Sequence, residues 1–589
     1  MPKIEVNEEL FHSLAGRRWD NRAEFEEALT CAKAELDEDS DKSLIADERT
    51  LKIELNDTNR PDLWGTAGCA RQIRIYYGKG KRPEYPFFST PGDAQESNEL
   101  KKPKKSKWTV KVEESVKKAR PYLAGFVATG KAVTNASLKD MIQTQEKLAW
   151  NFGRKRRTIS MGLYRIAIIT WPIIYKGVDP DSASFIPLQW DSPLTLREIL
   201  KQHPKGKEYA FIQEHEPIHP LLVDAKGKIL SYPPIINSAD IGAVQVGDTD
   251  LFVELTGTDQ PSVTLAASIM ACDMADQGYT IEPVTVEYGY DTPFGRTMTT
   301  PFYFQSPVFC SLERIEKFLG ETLSGDECVA ALERMGCRAE KAFDVERGGA
   351  SAADGVRLYP PEYRNDFLHA ADVVEDVMIG RGLASFKPER PKEFTVGRLS
   401  PITIFSRKVK EILVGLGYQE MIYNYLGSRK DLVDKTLGDG SRVIQIANPM
   451  TENYEYARDS VLASLLMSES VSGNAVYPHH IFETGKVAFK DSSENCGAAT
   501  RQHLGMLSAS KEANFNAIAA QIQTLFYYLS REYTVDESTD SRFIPGRAAS
   551  IVYHGKTIGV FGEIHPAALE NFGVTVPCVA AEIDLDALM

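Results

Sequence analysis

Three features that would place a chain in a simple class are missing from this sequence. The cysteines form no CxxC pair and have no histidine at zinc spacing, which excludes a zinc ribbon. No run approaches the roughly 18 consecutive apolar residues of a membrane-spanning helix, and residues 1–30 lack the apolar stretch of a signal peptide. We therefore expect a cytoplasmic protein with reduced thiols and no membrane association. The eight cysteines stand at positions 31, 69, 272, 310, 328, 337, 496 and 578.

An excess of positive charge is also missing, because 68 Lys and Arg face 82 Asp and Glu, a net charge of −14. A protein that binds RNA over its whole surface is usually basic, so any RNA contact here must be local or shared with another subunit. Two basic clusters exist, at 101–107 (KKPKKSK) and 154–157 (RKRR). We interpret both as solvated linker or helix faces.

The length and hydrophobicity of the chain provide material for several cores. With 589 residues, 43% of them hydrophobic, three to five domains are expected. Helical and strand periodicities are mixed throughout, which predicts an α+β multidomain fold. The predicted units are a mixed N-terminal module at 1–89, a basic linker at 90–109, an α/β domain at 110–290, a small helical, winged-helix-like module at 306–388 and an antiparallel-sheet domain at 396–589.

Local patterns predict the elements that carry the candidate residues. Phe25, Leu29 and Leu36 recur among charged residues and predict a helix over 20–37. The apolar run at 251–255 predicts a strand, and a helix is expected to begin at Ser262. A further helix is predicted from about Asp366 to Arg381.

An acid follows the apolar run at 251–253. This acid is Glu254, and Thr256 stands two residues further along. A carboxylate at the end of a buried strand suits a site that needs a polar partner for a ligand hydroxyl. The polar residues Ser231, Asn237 and Ser238 flank a Pro-Pro turn and are candidates for the same pocket. The alternative is a helix-capping turn, which the residues alone favour.

Four acids lie on or at the start of the helix predicted from about Asp366 to Arg381. Asp372, Glu375 and Asp376 are spaced i, i+3 and i+4 and share one face, with Asp366 near the N-cap. Converging carboxylates repel one another, and a hard cation such as Mg2+ relieves that repulsion with oxygen ligands. The alternative is an acid-rich first turn that suits the helix dipole, and the residues alone favour it.

Ten sequence blocks stand out along essentially the full length of the chain. They are NDTNRPDLWGTAG (56–68), RPYLAGFVATG (120–130), QEKLAWNFGRKRR (145–157), HPKGKEYA (203–210), PPIINSADIG (233–242), ELTGTD (254–259), YRNDFLHAADVVEDVMIGRG (363–382), NPMTENYEYARDSVL (448–462), FETGKV (482–487) and GEIHP (562–566). In this order the blocks resemble the phenylalanyl-tRNA synthetase beta subunit family. One such block would be weakly specific, whereas ten in order are highly specific.

The resemblance implies a subtype, a fold and partners. HPKGKEYA and PPIINS look like the shorter archaeal and eukaryotic type, and the chain has no room for the extra RNA-binding barrel and RRM-like domain of the bacterial form. The implied order is a mixed N-terminal module, an editing domain, a small helical module and a C-terminal domain shaped like a class II synthetase core. The implied partners are an alpha subunit, in an α2β2 heterotetramer that binds ATP on alpha, and tRNA(Phe).

The C-terminal domain lacks the motifs of a working class II adenylation site. Residues 396–589 contain no GxGxxxER, although transferring phosphates requires such cations. Arg458 is the nearest to a motif-two arginine, and we interpret it as a structural residue. Ile544 precedes the PGR turn where many relatives have a histidine. We therefore expect this domain to be a non-catalytic scaffold.

The resemblance also implies two sites. The first is an editing pocket that hydrolyses mischarged Tyr-tRNA(Phe) with an attacking water, since no Ser-His-Asp set is visible. The second is a Mg2+ site near the alpha subunit. The implied residues are Glu254 and Thr256 for editing, Ser231, Asn237 and Ser238 for substrate binding, and Asp366, Asp372, Glu375 and Asp376 for the metal.

Three other functions are compatible with parts of the sequence. The nearest is the same subunit as a scaffold whose editing activity is lost. A free-standing aminoacyl-tRNA hydrolase would leave the large C-terminal domain without a role. A nucleic-acid-binding protein that uses the helical module is disfavoured by the net charge of −14.

Overall fold

The structure is a computed structural model that describes most of the chain. The described residues are 3–39, 41, 43, 45, 48–56, 59–78, 80–89, 106–346, 349, 351–392, 395–472 and 476–589. Most of the linker predicted at 90–109, with the lysines up to residue 105, lies outside them. The chain divides into two compact units, Met1–Glu389 and Arg390–Met589. The architecture is mixed α/β and multidomain, and the finer domain boundaries stay predictions.

The N-terminal module is a three-stranded antiparallel sheet with three helices. Its elements are β1 (Lys3–Asn7), α1 (Glu8–Ala15), α2 (Arg22–Leu29), β2 (Ala34–Glu38), β3 (Thr50–Leu55) and α3 (Thr66–Tyr77). The strand order is β1-β3-β2, and β3 alternates buried Leu51 and Ile53 with partly exposed residues. The helix predicted over 20–37 is too long. It ends at Leu29, and a left-handed residue, Lys33 (φ 52°), turns the chain into β2, which contains Leu36.

A ten-stranded mixed sheet occupies the next part of the described chain. Its order is β12-β11-β10-β7-β4-β14-β5-β13-β6, with β15 paired to β14. The elements are β4 (Trp108–Val112), β5 (Tyr122–Thr129), α4 (Asn135–Lys147), β6 (Ile159–Arg165), β7 (Ile173–Val178), β8 (Ser184–Phe185), β9 (Leu194–Thr195), α5 (Leu196–Gln202), α6 (Pro204–Tyr209), β10 (His219–Val223), β11 (Ile229–Tyr232), β12 (Ile236–Asn237), β13 (Leu251–Gly257), α7 (Gln260–Asp276), β14 (Thr280–Tyr288) and β15 (Thr297–Thr300).

Strand β13 is the second strand from the β6 edge of this sheet and is buried along its whole length. It pairs antiparallel with β5 on one side and β6 on the other, and helix α7 packs against it. The strand predicted at 251–255 therefore forms, and the helix predicted from Ser262 begins two residues earlier, at Gln260. Asp259 caps that helix by accepting a hydrogen bond from Ser262 N at 2.9 Å.

The small module packs three helices against a three-stranded sheet. Its elements are β16 (Val308–Ser311), α8 (Leu312–Leu319), α9 (Gly325–Arg334), β17 (Arg338–Val345), β18 (Ala352–Tyr359) and α10 (Ala370–Arg381). The sheet order is β16-β18-β17. Helix α10 begins at Ala370 rather than near Asp366, because His369 is its N-cap and Asp372, at the third helical position, completes a capping box.

The second unit is built on a seven-stranded sheet with the order β19-β23-β24-β28-β27-β26-β25 in the described residues. Only the β19–β23 pair is parallel among these. The elements are α11 (Pro401–Gly415), β19 (Gln419–Glu420), β20 (Leu426–Gly427), β21 (Ile444–Gln445), β22 (Tyr456–Ala457), α12 (Leu462–Val471), β23 (His479–Lys490), β24 (Ala498–Ala509), α13 (Phe515–Leu529), β25 (Thr534–Glu537), β26 (Phe543–Tyr553), β27 (Lys556–Ile564), α14 (Pro566–Phe572), β28 (Cys578–Asp584) and α15 (Leu585–Leu588).

The helices of the described residues are too short or too polar to span a bilayer.

Candidate functional site

A cavity of about 450 Å³ opens beside strand β13. Its walls come from helix α4, strand β6 and the segment 231–237, which contains the Pro233-Pro234 turn. Such a mixture of apolar surface with a few polar groups suits a ligand that has an apolar body and a hydroxyl. The polar lining residues are Gln145, Glu146, Arg156, Ser160, Gln189, Lys205, Ser231, Asn237 and Glu254.

Glu254 lies at the middle of β13 and is only 2% exposed. Its strand neighbours are both glycines, Gly125 on β5 and Gly162 on β6. A side chain at Gly162 would collide with the Tyr164 hydroxyl and with Glu254 Oε1. The glycine therefore leaves the space in which the carboxylate and the phenol meet.

One oxygen of the Glu254 carboxylate has a partner and the other has none. The Tyr164 hydroxyl donates to Glu254 Oε1 at 2.9 Å, and it also lies 2.8 Å from Ser231 Oγ and 3.4 Å from Asn237 Oδ1. Glu254 Oε2 is buried and has no hydrogen-bond partner among the described residues. The carboxylate of this lining residue thus keeps one oxygen whose capacity to accept a hydrogen bond is unused among the described residues.

The electrostatics of the cavity follow from this burial. Desolvation raises the pKa of Glu254 to about 7, against smaller opposing effects of the Tyr164 hydrogen bond and the charge of Arg120. At neutral pH the side chain therefore exists in both protonation states. Perturbed acids of this kind are concentrated at functional sites.

Thr256 shares a strand with Glu254 but lies outside the cavity lining. It is fully buried, its Oγ1 accepts from Arg120 Nε at 3.0 Å, and it lies 3.0 Å from Ser160 Oγ. Arg120 also donates to the Thr256 carbonyl and to Ser160 Oγ. Of this group only Ser160 lines the cavity. The structure therefore places Thr256 behind the wall of the cavity, where it helps to position Ser160.

The predicted substrate-binding residues also divide into those that line the cavity and one that lies outside its lining. Ser231 and Asn237 line the cavity beside the Tyr164 hydroxyl. Ser238 is buried and lies outside the cavity lining, and its hydroxyl has no partner among the described residues. Three of the five predicted pocket residues, Glu254, Ser231 and Asn237, thus meet at one point.

The four acids of the predicted metal site do not meet. Arg364, which is fully buried, donates to both Asp366 and Asp376, with closest distances of 2.6 Å to each. Asp372 accepts from the backbone N–H groups of Leu368 and His369 at 2.7 Å. Glu375 forms a salt bridge of 2.8 Å with Lys33.

This arrangement does not fit a magnesium ion. The guanidinium of Arg364 occupies the position between Asp366 and Asp376 that a cation would need, and Asp372 is used as a helix cap. In the part of the chain that the structure describes, no group of three or more His, Cys, Asp or Glu side chains could hold a metal. The i, i+3, i+4 spacing does not bring the acids together, because Asp376 points inward to the loop arginine, whereas Asp372 turns toward the helix N-terminus.

Arg458 is buried in the second unit and held there by several groups. It donates to both oxygens of Glu483 at 2.7 and 3.0 Å, to Ser464 Oγ at 3.1 Å and to the Lys486 carbonyl at 3.0 Å. Each of its three side-chain nitrogens is thus engaged within the protein. The geometry agrees with the structural interpretation of this arginine.

Two family models match the chain. The tRNA synthetase B5 domain matches residues 308–383, and the phenylalanyl tRNA synthetase beta chain CLM domain matches residues 387–585. The chain is 44% identical to the phenylalanine--tRNA ligase beta subunits of Treponema pallidum subsp. pallidum and Borrelia hermsii, over 100% of both chains in each case.

A solved structure is similar to the first part of the chain. It is an N-terminal fragment of the phenylalanyl-tRNA synthetase beta subunit from Pyrococcus horikoshii, with 33% identity and a TM-score of 0.55 over 65% of this chain and 100% of the fragment. The chain is therefore an aminoacyl-tRNA synthetase subunit by class, and it belongs to the phenylalanine--tRNA ligase beta subunit family. The two full-length relatives are bacterial, so the archaeal and eukaryotic subtype is not confirmed.

Sequence reasoning missed one residue that lines the cavity, Arg156, and two residues that support its wall, Tyr164 and Arg120. Tyr164, Arg120 and Arg156 all contact cavity groups, and Arg120 and Arg156 fall inside blocks that carry the family resemblance. Tyr164 had no such signal, since its role depends on the pairing of β6 with β13.

Proposed function

We propose that this chain, as the beta subunit of an α2β2 phenylalanine--tRNA ligase, hydrolyses Tyr-tRNA(Phe) in the cavity beside β13. The observation that carries the proposal is the carboxylate of Glu254, a residue of the cavity wall whose buried Oε2 has no partner among the described residues. A tyrosine phenol would donate to this oxygen. Phenylalanine would leave it unpaired, at a cost of roughly 1–3 kcal/mol.

Discrimination by a carboxylate is suited to this substrate pair. An apolar synthetic site rejects a single added hydroxyl by only about 100-fold, so a second site that recognises the hydroxyl is useful. The Tyr164 phenol, which already donates to Oε1, orients the carboxylate and leaves Oε2 for the ligand in this proposal. Recognition therefore rests on a pre-positioned acceptor.

The reaction is an ester hydrolysis. Water adds to the ester carbonyl carbon, the bond to the ribose oxygen breaks, tyrosine leaves as the free acid and the ribose hydroxyl is restored. Glu254 recognises the amino acid in this scheme. Ser231 and Asn237 lie beside the Tyr164 hydroxyl and belong to the phenol end of the substrate in this scheme. The ester and the water are assigned to the remaining polar lining residues, which include Ser160.

The second unit takes the role of a partner-binding scaffold in this proposal. Its sequence lacks GxGxxxER, and its nearest motif-two candidate, Arg458, is held by Glu483. ATP and phenylalanine are accordingly assigned to the alpha subunit, with Mg2+ accompanying ATP there rather than at the acidic helix of this chain. The eight free cysteines suit a cytoplasmic location. The likeness to the Pyrococcus horikoshii fragment supports the archaeal and eukaryotic subtype.

The competing function is a scaffold that has lost editing. It is favoured by one observation, since Tyr164 already occupies one oxygen of Glu254. The scaffold function would be better supported if every acceptor beside the cavity were paired. Glu254 Oε2 is instead unpaired among the described residues.

Deacylation of Tyr-tRNA(Phe) by the holoenzyme tests the proposal. Glu254→Ala is expected to slow this reaction roughly 10-fold or more, which corresponds to about 1.4 kcal/mol. Charging with phenylalanine should stay near wild type because that chemistry lies on the other subunit. The control is Glu287→Ala, which removes an exposed carboxylate from β14 of the same sheet.

Two results would contradict the proposal. Equal deacylation rates for Glu254→Ala and wild type would make the glutamate a structural residue. A wild-type holoenzyme that leaves Tyr-tRNA(Phe) intact would establish the scaffold instead.

A further inference from the structure

A second and larger concave surface, of about 1620 Å³, lies on the other side of the segment 146–160. It is called the basic groove here, after the cations and aromatic rings that line it. Those residues are Lys147, Trp150, Arg154, Lys155, Arg157 and Phe211. The groove includes Arg154, Lys155 and Arg157 of the RKRR cluster, for which the sequence alone predicts a solvated face.

Four of the five cations that line the basic groove lack acidic partners among the described residues, whereas the fifth, Lys3, is paired with Asp37 and Glu54. Lys147, Arg154, Lys155 and Arg157 form no salt bridge within the described chain. The one acidic residue in the lining, Asp259, is used as the cap of helix α7. Four uncompensated cations in one groove stand out in a chain whose net charge is −14. The groove is therefore a local site of positive potential that would attract an anionic partner.

The backbone presents these cations in an uncommon conformation. A π-helical turn at Leu148–Phe152 is followed by three consecutive left-handed residues, Arg154 (φ 50°), Lys155 (φ 56°) and Arg156 (φ 65°). Non-glycine residues rarely adopt this conformation, and it persists only where the surroundings enforce it.

Backbone hydrogen bonds enforce the turn. Lys155 N donates to the Trp150 carbonyl at 2.7 Å, and Arg156 N donates to the Ala149 carbonyl at 2.8 Å. The Arg156 guanidinium anchors the turn by donating to the carbonyls of Pro234 and Ile235. These hydrogen bonds hold the exposed side chains of Arg154 and Lys155 at the surface.

Two exposed aromatic rings lie among the cations. Trp150 is 42% exposed and Phe211 is 39% exposed. Lys155 Nζ lies 5.3 Å from the Trp150 ring centroid, and the Arg157 guanidinium lies 4.9 Å from that of Phe211. Alternating cations and exposed ring faces match the backbone phosphates and unstacked bases of a single-stranded nucleic acid. An acidic peptide would use the cations but not the ring faces.

The groove and the cavity share one segment of chain. Glu146, Arg156 and Ser160 line the cavity, whereas their neighbours Lys147, Arg157 and Thr158 line the groove. Arg156 also touches the Pro-Pro turn of the cavity wall. We propose that the basic groove binds the single-stranded 3′ end of an aminoacylated RNA and leads its ester to the cavity. The part of this inference that brings the ester to the cavity rests on the proposed function, whereas RNA binding by the groove does not.

Binding of a labelled, uncharged single-stranded RNA of about ten nucleotides to the full chain tests the groove. The double variant Arg154→Glu/Lys155→Glu is expected to bind at least about 10-fold more weakly, with a shallower dependence of affinity on salt. Trp150→Ala should bind roughly fivefold or more weakly with an unchanged salt dependence, since stacking carries no charge.

A matched control separates the groove from general charge effects. Lys226→Glu/Lys228→Glu makes the same change in charge on an exposed hairpin of the same domain and should bind RNA like wild type. If this control weakens binding as much as the groove variant, the attraction is nonspecific and the proposal fails. The same follows if Trp150→Ala binds normally while a polyglutamate peptide competes for the groove, since the surface is then a protein-docking site.

Deacylation of Tyr-tRNA(Phe) by the same variants separates the two proposals. The groove variants should lose deacylation in proportion to their loss of RNA binding. Wild type that binds RNA through the groove but does not deacylate would overturn the editing function alone. Wild type that deacylates, together with groove variants that bind and deacylate normally, would overturn the groove alone.

Discussion

Two buried carboxylate sites in the first unit differ in how their charge is compensated. At β13, Glu254 has one oxygen paired with the Tyr164 phenol and the other unpaired among the described residues, and burial raises its pKa to about 7. Before α10, Asp366 is paired with the Arg364 guanidinium, which holds its pKa down at about 2 despite burial. Burial is similar in the two places, so the partner decides the outcome.

The difference shows that the role of a buried acid can be inferred from the partners of its two carboxylate oxygens. A carboxylate whose oxygens are matched by a buried cation is a structural element, because its desolvation is already compensated. A carboxylate with a free oxygen in a cavity keeps an unmet hydrogen-bonding capacity that a ligand can satisfy. Asp366 and Asp376 of the predicted metal site are of the first kind, and the predicted editing acid Glu254 is of the second.

Among these predictions, removal of the Arg364 guanidinium is expected to have the largest effect, a loss of stability of the small module. Arg364→Ala leaves Asp366 and Asp376 buried without a counter-ion and should destabilise the small module by about 3–5 kcal/mol. Hydrogen exchange of peptides that cover α10 measures this locally, which avoids assuming two-state unfolding of a multidomain chain. The control is Arg338→Ala, an exposed arginine of the same module, which should change stability by roughly 0.5 kcal/mol or less. Unchanged exchange in α10 of the Arg364 variant would end the comparison.

The two acids should also differ in how pH affects stability. The pKa of Glu254 is raised in the folded state, so its contribution to the free energy of unfolding is fully present below the pKa of the unfolded chain. That contribution, roughly 3 kcal/mol, is lost as the pH rises through 7. Glu254→Gln should therefore gain melting temperature relative to wild type between pH 5 and pH 8. The pKa of Asp366 is lowered to about 2, so its stabilisation is fully present above pH 5 and is lost only as pH falls toward 2. The effect of Asp366→Asn should be the same at pH 5 and pH 8.

Thermal unfolding at the two pH values measures this contrast for both variants. A Glu254→Gln effect that is independent of pH would show that the carboxylate is already compensated. The cavity would then resemble the Arg364 site, and the editing proposal would lose its physical basis.

The smallest expected effect comes from removing divalent metal. Because Arg364 already fills the space between Asp366 and Asp376, EDTA should leave the melting temperature of the chain unchanged, and added Mg2+ should not raise it. A specific site filled at 100 times its Kd would add about 2.7 kcal/mol. A clear Mg2+-dependent rise that is lost in Asp372→Asn would restore the magnesium prediction.

The sequence indicates the elements near the site more reliably than their partners. The apolar run before Glu254 predicts strand β13, and the helix predicted from about Asp366 to Arg381 is present from Ala370 to Arg381. The helix predicted over 20–37 fails at Lys33, because a left-handed turn and a strand there carry no strong local signal. Local patterns fix periodicity, whereas the end of an element depends on capping and on what the chain packs against.

The sequence by itself determined the family, through ten blocks in order, and it singled out Glu254, Ser231 and Asn237 as candidates. Only the tertiary structure decided which groups face these residues. Tyr164 reaches Glu254 because β6 pairs with β13 about ninety residues away along the chain. Arg364 reaches Asp376 because a loop folds back on α10. The charge state and availability of a buried carboxylate depend on partners within hydrogen-bond distance, and spacing along the sequence does not encode those distances.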